Sequence, residues 1–260
     1  MKSYYKKFLY LSILLSGIIF CSSLATQAQA VVDAFAKGNQ HYIKGKYEEA
    51  IVEYLKITKS GSASAGLYYN LGNSYFKINQ NAQAILYYEK ALKLNPAHDD
   101  AAFNLHLART KSIDKIQPLP EIFFKRWWKN WVALGAFDTW AQLSIVALFL
   151  FIASIAIFIR TTTASLKIIS FTLTLLFLVS FGICFFSGWY GHYKFKNETF
   201  AIVTSPSTYV KSSPDLQGKD LFILHEGAKG KVTEQIGDWF RLQIADGNEG
   251  WVKKESVEAI

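Results

Sequence analysis

Two stretches of the chain superimpose at a spacing of 34 residues: Gly38, Gly45, Ala50 and Tyr54 recur as Gly72, Asn79, Ala84 and Tyr88. A period of that length is too short for a domain and too long for one helix. It specifies a supersecondary unit that buries its apolar face only by stacking on its neighbours. The spacing within the second copy is helical, with Tyr68, Leu71, Gly72 and Tyr75 on one stripe and Ala84, Tyr88 and Ala91 on the next. Gly72 and Ala84 are small where two helices approach closely, the tyrosines and Leu71 fill the space between turns, and Pro96 ends the second helix.

Tyr68, Leu71, Gly72, Tyr75, Ala84, Tyr88, Ala91 and Pro96 together resemble the tetratricopeptide repeat at each of its signature places. The first copy, from Val31, departs at Lys37 and His41 but keeps Gly45-Lys46-Tyr47-Glu48-Glu49-Ala50 across the turn and second helix. A third run from Asp99, with Ala102, Phe103, Leu105 and Ala108 on its stripe, stops near Ile116 ahead of Gln117-Pro118-Leu119-Pro120. Repeats are thus expected over 31–64 and 65–98, with a capping helix from 99 and an end at 116. An unrelated helical bundle is the alternative. The resemblance implies a protein-binding groove lined by the first helix of each repeat: Phe35, Asn39, Tyr42 and Ile43, then Tyr69, Asn73, Phe76 and Lys77, then Phe103 and Leu107. Repeats that clamp a terminal carboxylate combine Asn with several cations. Here Phe35, Asp100 and Asn104 stand where cations belong, so an apolar helix or strand is the expected ligand, unless these aromatics serve only to pack repeat on repeat.

Three segments hold an excess of apolar residues. Lys2, Lys6 and Lys7, an apolar run from Phe8 to Phe20 and Ala28-Gln29-Ala30 make residues 1–30 an expected cleavable signal peptide. Cys21 follows Phe20, where a lipobox takes a small residue, so lipidation is disfavoured. Residues 139–159 and 168–191 carry no charge and each exceeds or matches the roughly 20 residues that span a bilayer core. Two transmembrane helices are expected, joined by the short link 160–167 into a hairpin whose ends face one side. With an exported N-terminus, both soluble parts then lie outside the cytoplasm, in the periplasm if the membrane is a bacterial inner membrane. Between repeats and spans, residues 117–138 hold Trp127, Trp128 and Trp131 among Lys125, Arg126 and Lys129. That mixture suits either a helix lying in the headgroup region of the lipid bilayer or a plain connector.

After Gly191 the chain turns to short β-rich runs broken by Gly, Asp and Pro. Six strands are expected, near 199–204, 208–211, 220–224, 230–236, 239–244 and 250–253, with hairpin turns at Gly237-Asp238 and Asp246-Gly247-Asn248. A small barrel that closes its edges would hold them. The strings Tyr209-Val210-Lys211-Ser212-Ser213-Pro214, Leu224-His225-Glu226-Gly227, Gly237-Asp238-Trp239-Phe240-Arg241-Leu242 and Gly250-Trp251-Val252 resemble bacterial SH3 domains over 199–260. Tyr209, Trp239 and Trp251 are the candidate cleft residues of that module. In so small a barrel aromatics also serve as core, and Trp251 is read first as core.

No pattern asks for catalysis. There is no phosphate loop, nucleophile elbow or His-Glu-x-x-His, and the five histidines are scattered. His98 and His106 are too far apart on a helix to chelate one ion, and Asp99-Asp100 suit a helix N-terminus. Cofactor and metal sites are expected to be absent. The formal net charge of +8 includes three lysines of the expected signal peptide. Residues 31–116 hold 11 basic and 8 acidic residues, 117–199 hold 7 and 3, and 200–260 hold 7 and 9, so the excess sits beside the membrane and no nucleic-acid surface is expected.

The expected fold class is multidomain: all-α tetratricopeptide repeats, a two-helix transmembrane hairpin and a small all-β SH3-like barrel. That order, with the Leu224-His225-Glu226-Gly227 string and Trp-rich approach to the first span, resembles the BatE-like proteins of the Bacteroides aerotolerance (Bat) group. The resemblance implies a non-enzymatic inner-membrane component, partnered by membrane proteins with von Willebrand factor type A domains and linked to aerotolerance and envelope stress. Two readings stand beside it. In one the barrel binds peptidoglycan as a tether or sensor, and in the other the chain regulates an envelope enzyme.

Overall fold

The computed structural model describes residues 28–260. The signal peptide expected over 1–30 lies outside the described residues apart from its last three, which already belong to the first helix. Helix α1 occupies residues 28–43, followed by α2 (Tyr47–Lys59), α3 (Ala65–Lys77), α4 (Asn81–Leu94) and α5 (Asp99–Thr110). The 34-residue period is also a period of conformation. Gly45 and Asn79 close α1 and α3 at φ 75° and 60°, in the left-handed region that Gly and Asn tolerate, which explains their interchange at that place. A Cβ on Gly38 would stand 2.4 Å from Tyr54 Cε1 and one on Gly72 2.5 Å from Tyr88 Cδ1. Each glycine is where a tyrosine of the next helix meets the backbone. Ser64 starts α3 by accepting the Leu67 N–H at 3.1 Å. Tyr54, Leu67, Leu71, Ile85, Leu86 and Tyr88 form the buried centre of this region.

Helix α6 (Phe123–Val132) presents exposed Phe123, Phe124 and Trp127. It leads to α7 (Phe137–Arg160) and α8 (Ala164–Asn197), both long and apolar enough to cross a membrane. These two pack antiparallel: Phe158 meets Phe171 near their link, Ser154 and Thr174 hydroxyls lie 2.9 Å apart, and Gly188 approaches the Ala141 backbone. Ser144, Ala147, Ser154, Ser170 and Ser187 are buried at the contact, so small residues set the helix separation while Leu, Ile and Phe side chains face outward. Residues 139–159 and 168–191 fall within α7 and α8. The link is shorter than expected, residues 161–163, and α8 does not stop at Gly191 but runs on to Asn197. The charges of Lys194 and Lys196 end the apolar run, yet nothing in Tyr193-Lys194-Phe195-Lys196 breaks a helix. At about 1.5 Å per residue α8 is about 51 Å long, well beyond a hydrocarbon core of about 30 Å. Its surplus reaches the C-terminal sheet through Glu198 and Thr199 alone.

Seven strands follow: β1 (Phe200–Val203), β2 (Ser207–Lys211), β3 (Asp220–His225), β4 (Lys229–Ile236), β5 (Trp239–Ile244), β6 (Glu249–Lys253) and β7 (Val257–Ala259). They form one antiparallel sheet in the order β3-β2-β6-β5-β4-β1-β7. Gly237 and Gly247 take positive φ in the expected hairpin turns. Two expectations are corrected. There is a seventh strand, β7, and the sheet is not closed, because β3 and β7 are edges. The helical region meets β7 along its length and β3 only at its end. Lys90 Nζ meets Glu258 at 2.5 Å and Lys93 donates to the Ile260 carbonyl at 2.8 Å beside β7, while Asp114 accepts the His225 N–H at 2.7 Å at the end of β3. Ile202 of β1 is buried within the repeat core, and Ile116 packs on the core of the sheet. Leu119 donates its N–H to Ala245 O at 3.0 Å, so the Pro-rich segment is laid along the sheet.

Candidate functional site

The first helices of the repeats carry residues in rows 34 apart: Phe35, Tyr69 and Phe103 in one, Asn39, Asn73 and Leu107 in another. Behind these rows lies a repeated hydrogen-bond unit. Asn39 Oδ1 accepts the Tyr54 hydroxyl at 2.7 Å and the Asn70 amide at 3.1 Å. One repeat later, Asn73 Oδ1 accepts the Tyr88 hydroxyl at 2.7 Å and the Asn104 amide at 2.8 Å. Each unit ties the two helices of one repeat to the first helix of the next. Burial pushes the Tyr54 hydroxyl up to about 12, against a smaller lowering by Asn70, and burial raises Tyr88 as well, so both remain donors at physiological pH. The asparagine oxygens expected to meet a ligand are therefore engaged in holding repeat to repeat.

The aromatic members divide in two. Phe35, Tyr42, Tyr69 and Phe76 are half-buried: Phe35 leans on Tyr54 with ring centroids 6.0 Å apart, Tyr42 on Tyr47 at 5.2 Å and Tyr69 on His98 at 4.9 Å. Lys111 Nζ sits 4.0 Å from the Phe76 ring centroid, a cation–π contact that closes that end of the face. Ile43, Lys77, Phe103 and Leu107 face solvent, with Phe103 69% exposed and Leu107 42%. The side available to a ligand is thus apolar and centred on α5, with Phe103 and Leu107 one turn apart on its surface. Among the described residues no cluster of three His, Cys, Asp or Glu side chains is placed to hold a metal ion.

On the C-terminal sheet the register brings the candidate cleft residues to one face. Lys211 lies opposite Trp251, Trp251 opposite Arg241, and Trp239 opposite Lys253. Continuing the antiparallel register by two residues sets Tyr209 opposite Lys253, so Tyr209, Lys253 and Trp239 make one row and Lys211, Trp251 and Arg241 the next. Trp251 is buried but stands on the opposite face from Val210, Leu242 and Val252, which form the sheet core. Its expected burial holds, at 7% exposed, on the face of the sheet that also carries Lys211 and Arg241. Tyr209 is exposed and Trp239 half-buried.

Residues 65–98 match the tetratricopeptide repeat, residues 38–79 match the TPR repeat, and residues 206–258 match the bacterial SH3 domain. The helical region is built of tetratricopeptide repeats, and the sheet is SH3-like. No curated protein matches the chain.

The contact between these two parts went unread in the sequence. Glu89, nearly buried on α4, pairs with Arg109 of α5 and, at 2.6 Å, with Lys229 of β4. Asp114 holds His225 through both its backbone N–H and ring Nδ1, the latter at 2.8 Å. A signal was present: Ala82, Ala84, Ile85, Leu86, Tyr87, Tyr88 and Ala91 are apolar all round α4, and such a helix must be covered on every side.

Proposed function

We propose that this chain is a membrane-anchored adaptor without catalytic activity, which gathers envelope proteins through its repeats while α7 and α8 fix it in a bacterial inner membrane. The observation that carries this reading is the side on which the SH3-like sheet docks. It covers α4 and leaves Ile43, Lys77, Phe103 and Leu107 in solvent, so two recognition folds form one body with one repeat face open. Two parts in contact must lie on the same side of a membrane, which an even number of crossings satisfies. The expected signal peptide puts that side in the periplasm. The likeness to the BatE-like group supplies the partner class, exported von Willebrand factor type A domains of neighbouring membrane proteins, and the link to aerotolerance and envelope stress.

Phe103→Asp combined with Leu107→Asp alters two exposed side chains. It is expected to leave thermal stability within about 0.5 kcal/mol and to reduce the partners that co-purify with the detergent-solubilised full chain. Retention of every partner would show that the groove is not the docking surface. For topology, alkaline phosphatase fused after Lys115 or Ile260 is expected to be active and after Thr162 inactive. Activity at Thr162 alone would invert the arrangement.

The aromatic and basic rows of the SH3-like face favour one second reading, a peptidoglycan tether. Tyr209 and Trp239 offer stacking surfaces, beside Lys211, Arg241 and Lys253, each of which is paired with a carboxylate of the same sheet region. Sedimentation of the full chain with purified sacculi, lost on Tyr209→Ala with Trp239→Ala, would favour it over the adaptor.

A further inference from the structure

Where α6, the end of α8, the repeats and the sheet come together, two chambers adjoin. One, of about 270 Å³, is walled mainly by apolar side chains including Leu92, Val132, Phe137, Tyr190, Phe195 and Ile260. The other, of about 970 Å³, is lined by seven Lys or Arg against three carboxylates. They share Lys129, Tyr190, Lys194, Glu198, Phe200 and Lys229 as a common wall.

Every carboxylate in the larger chamber already has a partner. Asp114 holds His225, Glu121 meets Lys129 at 3.3 Å, and Glu198 takes Lys194 at 3.4 Å and Lys231 at 2.9 Å. Lys115 has only backbone carbonyls, and Lys125 has no carboxylate within ion-pair reach among the described residues. Positive charge is therefore in excess along an open groove, seven cations against three carboxylates. Lys93, in the wall of the apolar chamber, shows the strain: burial lowers its amine below the usual lysine range, and the charge of Lys229 lowers it further.

The setting says which anion. Tyr190 lines both chambers, and the same helices carry Trp127, Trp128 and Trp131 on α6, Trp140 on α7 and Trp189 and Tyr193 on α8; Trp and Tyr collect at headgroup depth in a bilayer. A basic chamber opening into an apolar one, at that depth, matches a molecule with a phosphate at one end and a hydrocarbon chain at the other. A soluble phosphate would leave the apolar chamber without purpose.

We propose that this cleft binds one anionic phospholipid, with its phosphate held by Lys125, Lys129 and Lys194 and the start of one acyl chain lying against Val132, Phe137 and Phe195. The site rests on the reading of α7 and α8 as membrane spans. A lipid held there bridges α6, α8, the repeats and the sheet, and so fixes the tilt of the soluble body above the bilayer.

The test uses the full chain in nanodiscs of phosphatidylcholine with a minor fraction of phosphatidylglycerol, and counts retained lipid by native mass spectrometry. The wild type is expected to retain phosphatidylglycerol over phosphatidylcholine. Lys125→Gln with Lys129→Gln removes two cations of the wall and is expected to lower that preference about tenfold or more. Arg126→Gln with Lys196→Gln removes two cations that line neither chamber and is expected to leave it unchanged. Equal loss in both variants would mean diffuse surface charge and would overturn the site, as would equal retention of phosphatidylcholine. Displacement of the lipid by excess inorganic phosphate would reassign the cleft to a soluble anion and overturn the lipid. Insertion is read separately, from shielding of Cys184 against a water-soluble maleimide. Labelling at Cys184 in nanodiscs sinks the membrane reading and the site with it, whereas a shielded Cys184 without retained lipid sinks the site alone.

Discussion

Gly72→Ala is expected to destabilise the repeats by about 3 kcal/mol, from overpacking at a place that cannot relax. The new methyl would lie 2.5 Å and 2.6 Å from two carbons of the Tyr88 ring. That ring has nowhere to go: Tyr88 is 1% exposed, its hydroxyl is bound to Asn73 at 2.7 Å, and Asn73 also takes the Asn104 amide. Moving Tyr88 breaks the hydrogen bonds that join the second repeat to α5, and leaves a buried hydroxyl and amide without partners. For a region of this size the loss corresponds to a fall in melting temperature of about 15 °C. Gly38→Ala is expected to act in the same way through Tyr54 and Asn39. Gly66→Ala is the control, since a Cβ there meets nothing within 4 Å, and it is expected to stay within about 0.5 kcal/mol of the parent or gain slightly. Thermal unfolding followed by circular dichroism decides. A Gly72→Ala protein that melts with the Gly66→Ala protein would mean that the 34-residue period marks no close approach.

The glycine and tyrosine pairs were legible because they recur: one observation at Gly38 and Tyr54 was repeated at Gly72 and Tyr88. The same repetition made Gly45 and Asn79 readable as one conformation. The hydrogen bonds of Asn39 and Asn73 were not legible, because a side chain's address in a repeat is local whereas its partners, Asn70 and Asn104, come from the next unit. The two long apolar helices were legible from uncharged length, but not the end of α8, since an apolar run and a helix stop for different reasons. On the sheet the two-residue turn at Gly237-Asp238 fixed a hairpin, while β7 stayed hidden. Val257-Glu258-Ala259 is too short to show alternation and becomes a strand by pairing with β1. Closure was inferred from the need to protect edges, and the need is real. At β7 it is met from outside, by α4, which no pattern inside the sheet could announce.

That outside cover makes Glu89→Ala the substitution with the widest reach. The carboxylate is 8% exposed and receives Arg109 from one side and Lys229 from the other. Its removal leaves a half-buried lysine beside Lys93 with no counter-charge, in a seam where Ile85 of α4 packs against Gly227 and Ile202 lies in the repeat core. Breaking a buried pair costs about 3–5 kcal/mol, and the partial exposure of Arg109 and Lys229 brings the expected figure to about 2–3. That is less than the stability of a whole domain and more than a surface contact, so the expected result is release of the sheet from the repeats with both still folded. Amide exchange in β1 and β7 is expected to rise about thirtyfold or more while β5, β6 and α3 keep their protection, and a protease is expected to cut the 112–121 segment once Leu119 leaves Ala245. Lys253→Ala, which breaks an exposed pair with Glu255, is expected to change neither. Lys229→Ala on the Glu89→Ala background is expected to restore part of the protection, because the unpaired cation goes with it. If β1 and β7 exchange at the parent rate after Glu89→Ala, the seam is held by Ile85, Ile202 and Ile260 together with the Lys90–Glu258, Lys93–Ile260 and Asp114–His225 contacts. Glu89 would then be a carboxylate tolerated at the contact, and the coupling of the two recognition folds would rest on that packing and those contacts.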